Sequence, residues 1–129
     1  MTLTAVFLVG CGGPGRQAIE GTVTLDGQPL QEGYVRLQPQ PGTSSPAAGA
    51  PIEDGVFSIA SERGIFAGKF FVEITAMRPS GRMLTDPETG QPYQEKVQVL
   101  SERYNKATEL TVEVVEGESN TFVFELDSK

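Results

Sequence analysis

The chain has 129 residues, a length that suits one domain, with 15 Gly, 9 Pro, a single Cys and neither His nor Trp. Without histidine it can build no Ser-His-Asp or Cys-His nucleophile pair, no imidazole base and no His-liganded zinc, and one Cys forms no internal disulfide. The net charge of −7 repels phosphate backbones, and the basic residues are scattered from Arg16 to Lys129, so nucleic acid is not an expected partner.

Composition changes first at Cys11. Residues 1–10 (MTLTAVFLVG) are uncharged and mostly apolar, whereas residues 12–17 (GGPGRQ) are small and polar. At about 1.5 Å per residue, a helix of this length cannot cross about 30 Å of hydrocarbon, but it fits the apolar region of a secretory signal. Leu8-Val9-Gly10-Cys11 resembles the bacterial lipobox, in which a small residue precedes a cysteine that is lipidated and becomes the mature N-terminus. It departs from that pattern in having no Lys or Arg ahead of the apolar run. The resemblance implies a signal segment over residues 1–10, a lipidated Cys11 with a flexible tether over residues 11–17, and a folded domain over residues 18–129. The partner it implies is the membrane itself, through lipid on Cys11, with the domain in the cell envelope facing the periplasm or the exterior. Two acyl chains, at about 0.8 kcal/mol per buried CH₂, hold a protein firmly on a bilayer. The competing reading of Cys11 is a buried thiol in a first strand. Gly12, Gly13, Pro14 and Gly15 directly after it suit a tether better than a strand interior.

From Ala18 onward the apolar period is two, which predicts strands. Ile19, Gly21, Val23 and Leu25 alternate with polar residues, and Asp26-Gly27 supplies a tight turn. Residues 34–38 follow as a strand with Val35 and Leu37 inward, and residues 39–51 as a loop. A second Asp-Gly, Asp54-Gly55, leads into Phe57 and Ile59. Residues 69–76 form the strongest strand, with Phe70, Val72 and Ile74 facing the core and Phe71, Glu73 and Thr75 facing the other way. Residues 78–94 hold three Pro and two Gly among few apolar residues and read as one long loop. Val97 and Val99 suggest a short strand, and Ser101 caps a single turn over residues 101–105. Leu110, Val112 and Val114, then Phe122, Phe124 and Leu126, predict two last strands paired as a hairpin. About seven strands with turn signals between them describe an all-β Greek-key sandwich whose core stands without a disulfide.

Several of these segments carry a family resemblance. Gly21-Thr22-Val23-Thr24-Leu25-Asp26-Gly27-Gln28-Pro29-Leu30, Asp54-Gly55-Val56-Phe57-Ser58-Ile59 and the stretch from Gly64 to Ile74 resemble, in order, the strand starts of carboxypeptidase regulatory-like domains. These have the transthyretin-like (prealbumin-like, Ig-like) sandwich. Glu102-Arg103-Tyr104-Asn105, Leu110 to Val114 and Phe122 to Leu126 look like a group of short lipoproteins abundant in planctomycete-type bacteria. The resemblance implies a non-catalytic module for protein contact or envelope organisation, with no cofactor and no metal. One enzymatic relative, the transthyretin-related hydrolase of urate breakdown, uses histidines and a terminal Tyr-Arg-Gly-Ser, neither of which is present here. Sandwiches that cross-link a strand Lys to an Asn offer no parallel either: Asn120 adjoins the last strand, but the first has no Lys.

The candidate contact surface consists of Phe71 on the polar face of its strand, Tyr93 in the long loop and Tyr104. An unidentified envelope protein is the expected partner. The alternative is a carbohydrate-binding module using the tyrosines, including Tyr34, although the chain has no Trp to strengthen it. A carboxylate enzyme would draw on Asp54, Asp86 and Glu88, and calcium would draw on Asp86 and Glu88. Their spacing matches no defined calcium loop, and acids beside Pro and Gly are usually turn formers.

Overall fold

A computed structural model describes residues 15–128; Cys11 and the signal-like segment lie outside the described residues. Among the described residues, the strands are β1 (Ile19–Leu25), β2 (Gln28–Pro29), β3 (Glu32–Pro39), β4 (Ala48–Glu53), β5 (Val56–Ile59), β6 (Gly68–Thr75), β7 (Met77–Thr85), β8 (Pro92–Gln98), β9 (Thr111–Val114) and β10 (Asn120–Leu126). Two 3-10 turns, Ser61–Arg63 and Glu102–Tyr104, complete the regular structure.

The fold is an all-β sandwich. Hydrogen bonding runs in the order β10-β1-β5-β4-β3-β6-β9, with β2 beside β1. Between β4 and β5 only Glu53 and Val56 pair, and there the sheet curls from one layer into the other. One core is shared by both layers: Ile19, Val23, Phe57, Phe124 and Leu126 from β10-β1-β5 meet Val35, Leu37, Ile52, Phe70, Val72, Ile74 and Val114 from β4-β3-β6-β9. These inward positions follow the period-two pattern, because a strand with one wet face must place its apolar residues at every second site. Both Asp-Gly pairs form the expected turns: Asp26 and Asp54 have φ of 52° and 50°, Gly27 and Gly55 φ of 81° and 79°. Successive positive φ values match the right-handed twist of the strands that such a turn joins. Backbone hydrogen bonds from Leu30 to Val23, from Val23 to Gly55 and from Gly55 to Leu30 tie the two turns to β1.

The structure corrects three expectations. Residues 39–51 are not all loop, since β4 begins at Ala48 and pairs with β3 along its length. The last two strands are not a hairpin. β9 pairs with β6, and β10 runs parallel to β1 in full register from Ile19–Asn120 to Leu25–Leu126. They therefore occupy different layers, and Asn120 holds the arch between them: its Oδ1 accepts from Val115 N at 2.9 Å and its Nδ2 donates to Val115 O at 3.0 Å. Third, residues 78–94 are not an unstructured loop but most of an antiparallel ribbon, β7–β8.

The two ends of the sandwich differ. At one end Arg16 and Gln17, assigned to the tether from sequence, are docked on the body. Arg16 Nη1 donates to Gly64 O at 2.9 Å and its guanidinium lies 5.4 Å from the Phe66 ring centroid; Gln17 bridges to Ile65. Arg16 and Gln17 are therefore part of the folded body. At the opposite end, reached by following β1 from Ile19 to Leu25, lie the two Asp-Gly turns, the Tyr34–Thr75 pair and the root of the β7–β8 ribbon.

Candidate contact surface

Only Ala76 separates β6 from β7. At this junction Gln98 acts as a clamp, its Oε1 accepting from Ala76 N at 2.8 Å and from Leu100 N at 3.1 Å, while Val99 N donates to Ala76 O at 2.9 Å. Beyond the clamp β7 and β8 pair only with each other. Direct pairs share a face, so Leu84 with Tyr93 and Arg78 with Val97 line one side of the ribbon, which also carries Glu95, and Met77, Pro79, Met83 and Lys96 line the other. The one ion pair found among the described residues, Arg82 Nε to Glu95 Oε2 at 3.5 Å, sits mid-ribbon. A register shift between Pro79 and Met83 bulges β7. The tip is an Asx turn: Asp86 Oδ1 accepts from Glu88 N at 2.8 Å and from Thr89 N at 3.3 Å. Met77, Met83, Tyr93, Val97 and Val99 are all exposed.

The three contact residues expected from sequence do not come together. Phe71 lies on the outer face of β6, between Gln38 of β3 and Thr111 of β9, 39% exposed. Tyr93 is on the ribbon, 47% exposed. Tyr104 is a correction: it is 7% exposed, and its hydroxyl accepts from Asp127 N at 2.9 Å, so it fastens the end of the described chain to the 3-10 turn and presents nothing to a partner. Burial there is driven by the ring, with the hydroxyl satisfied at the rim. Tyr34 and Phe71 share the outer face of the β4-β3-β6-β9 layer, but Phe71 pairs with Gln38, which is about 13 Å from Tyr34 at about 3.3 Å per residue, so these aromatics form no common platform. The sequence-predicted acids are likewise dispersed: Asp54 is in the β4–β5 turn, and Asp86 is engaged in its own turn at the ribbon tip. Among the described residues no group of three or more Asp, Glu, Cys or His is placed to hold a metal ion.

What the structure does bring together is a pair of clefts flanking the ribbon's root. One, of about 500 Å³, runs between the outer face of β6 and the segment after β8, lined by Glu73, Thr75, Gln98, Glu102, Asn105 and Lys106. Asn105 is buried here and fully occupied, its Nδ2 donating to Ile74 O at 3.2 Å and Ser101 O at 3.1 Å. The other, of about 400 Å³, sets Arg78 among Gln31, Glu32, Glu53 and Asp54. These clefts offer carboxylates, amides and single cations, and with no histidine in the chain they hold no imidazole base. Leu100 also lines the first, so that cleft is mixed polar and apolar. Sequence reasoning overlooked Gln98 and Arg78. The available signal was the Asp86-to-Gly90 turn flanked by Leu84 and Tyr93, a hairpin mark within a segment otherwise read for its prolines.

No family model matches this chain, and no curated protein matches it. Among solved structures, a 9R-lipoxygenase from Cyanothece PCC8801 contains a similar segment, with a TM-score of 0.40 and 12% identity over 98% of this chain. The chain spans 18% of that protein's length.

Proposed function

We propose that this chain is a non-catalytic, lipid-anchored module of the bacterial cell envelope, a sandwich of the carboxypeptidase regulatory-like (transthyretin-like) kind that serves protein contact or envelope organisation. The observation that carries the reading is the polarity of the domain. Arg16 and Gln17, a few residues after the lipobox-like cysteine, meet the body at one end, while the exposed ribbon and its two flanking clefts lie at the other. An anchor at Cys11 thus holds the first end toward the bilayer and turns the contact surface away from it. A tether from Gly12 to Gly15 reaches at most about 14 Å at about 3.5 Å per residue, so the body stands close to the membrane. Its acidity keeps it from lying flat on anionic lipid. In support of the family reading, its expected strand starts coincide with β1, β5 and β6 and with the two Asp-Gly turns.

Mass spectrometry of the mature N-terminus from a native host tests the anchor. The expected result is a diacylated or triacylated Cys11 as the first residue. Cys11→Ala is expected to move the protein from the membrane to the soluble fraction; a free thiol at Cys11 in wild type would end this reading.

A further inference from the structure

Each layer of the sandwich ends in a strand with one free side. Among the described residues, β9 pairs only with β6 and β10 only with β1. Other open edges are blunted: β7 has Pro79 and a bulge, and β9 is four residues long. β10 is not. It has seven residues, about 23 Å at about 3.3 Å per residue, holds neither Pro nor Gly, and keeps an unbroken register with β1.

Two bonds at the end of β10 fix which backbone groups are open. Asp26 N donates to Leu126 O at 2.9 Å, so the Leu126 carbonyl faces β1, whereas Asp127 N donates to the Tyr104 hydroxyl and faces the opposite way. Backbone groups alternate sides along a strand, which turns those of Thr121, Val123 and Glu125 away from β1 and toward the free edge. Tyr104, by occupying Asp127 N, ends the open stretch. The side chains lack cover as well. Val123 is 65% exposed on the outer face, and Phe122, although it packs on the core beside Phe124, is only partly buried. Acid flanks this apolar middle at both ends: Glu116, Glu118, Glu125 and Asp127 occur with no Lys or Arg between them, and Glu20 of β1 stands opposite Thr121.

We infer that the free edge of β10 receives an extended segment of another protein as an added strand, apolar in its middle and basic at its ends. Main-chain bonds to Thr121, Val123 and Glu125 hold it, and its apolar side chains opposite Phe122 and Phe124 cover the core at this edge. Lys or Arg opposite Glu125 and near Glu118 set its register. A second copy suits the edge poorly, since it brings another chain of charge −7 against the same acids. The inference goes beyond the contact role proposed above and does not rest on lipid at Cys11.

The probe is the end-blocked peptide Lys-Lys-Val-Thr-Val-Lys-Lys, which reads the same in both directions and so fits either strand orientation. It is added to the full chain carrying Cys11→Ser, and amide hydrogen exchange is followed by NMR. Excess peptide is expected to slow exchange at Thr121, Val123 and Glu125 by about tenfold or more and to leave the β7–β8 amides unchanged. Lys-Lys-Pro-Thr-Pro-Lys-Lys keeps the charge but loses strand donors, and Glu-Glu-Val-Thr-Val-Glu-Glu keeps the strand pattern but reverses the charge; neither is expected to protect. Val123→Pro removes an outward donor and no bond to β1, and it should abolish protection at Thr121 and Glu125. Val123→Lys leaves the backbone intact and should weaken protection by the basic peptide about tenfold or more, which keeps the test valid if the proline variant unfolds. No protection in wild type, equal protection by either control peptide, or protection that neither variant reduces overturns the inference. So does slow exchange at these three amides in the peptide-free chain that is lost on dilution, since a second copy then holds the edge.

Discussion

The ring of Phe57 fills the space where a side chain at position 21 would be. Gly21 and Phe57 stand opposite each other in the β1–β5 register, and a Cβ on Gly21 would lie 2.4 Å from both Cε1 and Cζ of that ring. Phe57 in turn stacks on Phe124, with centroids 6.3 Å apart. Gly21→Ala is thus an overpacking change that drives Phe57 into Phe124, with an expected cost of about 1–3 kcal/mol. Phe57→Ala is expected to cost about 3–5 kcal/mol. Because the two effects share one space, the double variant should lose less than the sum. Urea titration of the four proteins measures this; strict additivity would contradict the packing.

Asn120 is buried, and its amide satisfies both backbone groups of Val115 as well as Glu118 O at 3.2 Å. Asn120→Ala leaves a donor and an acceptor unpaired in the arch between β9 and β10, with an expected loss of about 1–3 kcal/mol. The Val115 amide should become the most accelerated in hydrogen exchange. A protection pattern unchanged at Val115 would count against this role.

Gln98 tests whether the ribbon is held by its clamp. Gln98→Ala removes the acceptor for Ala76 N and Leu100 N, and both amides are expected to exchange faster while the β1 and β3 amides stay protected. Gln98→Glu keeps an acceptor oxygen in place and should restore most of the protection. If neither amide responds to Gln98→Ala, the clamp has no energetic weight.

Tyr104 separates packing from binding. Tyr104→Phe retains the buried ring and loses only the bond from Asp127 N, for an expected cost of about 0.5–1.5 kcal/mol. Tyr104→Ala should cost several times more, in line with other large-to-small changes of about 3–5 kcal/mol. Thermal melts of both variants give the comparison. Equal losses would mean that the hydroxyl, not the ring, carries the contribution.

Period two made the inward face of β1, β3, β5, β6, β9 and β10 legible, because each of these strands has one dry side and one wet side. It failed where that asymmetry is missing. β4 buries Ala50 beside Gly49 and Pro51, residues too small or too turn-like to register as alternation. β7 is solvated along nearly its whole length, so nothing in its composition is sorted by face, and its prolines read as a loop. Pairing was harder still. The parallel join of β1 to β10 depends on which strand is left beside β1 after the sheet curls, a global outcome that no local spacing encodes. At the contact surface, Tyr93 was recognisable as an exposed aromatic, but Tyr104 looks the same in sequence and is buried, because its environment is made by Asp127 and by the core it joins across the fold.

The join between β1 and β10 also bears on when the domain can exist. Its first strand waits for a partner that is synthesised about a hundred residues later, and contacts between such distant segments form slowly. Until Phe124 and Leu126 have left the ribosome, β1 has one open side and the shared core lacks part of its lid. Unlike a domain built from successive hairpins, this one closes its core only when β1 and β10 meet.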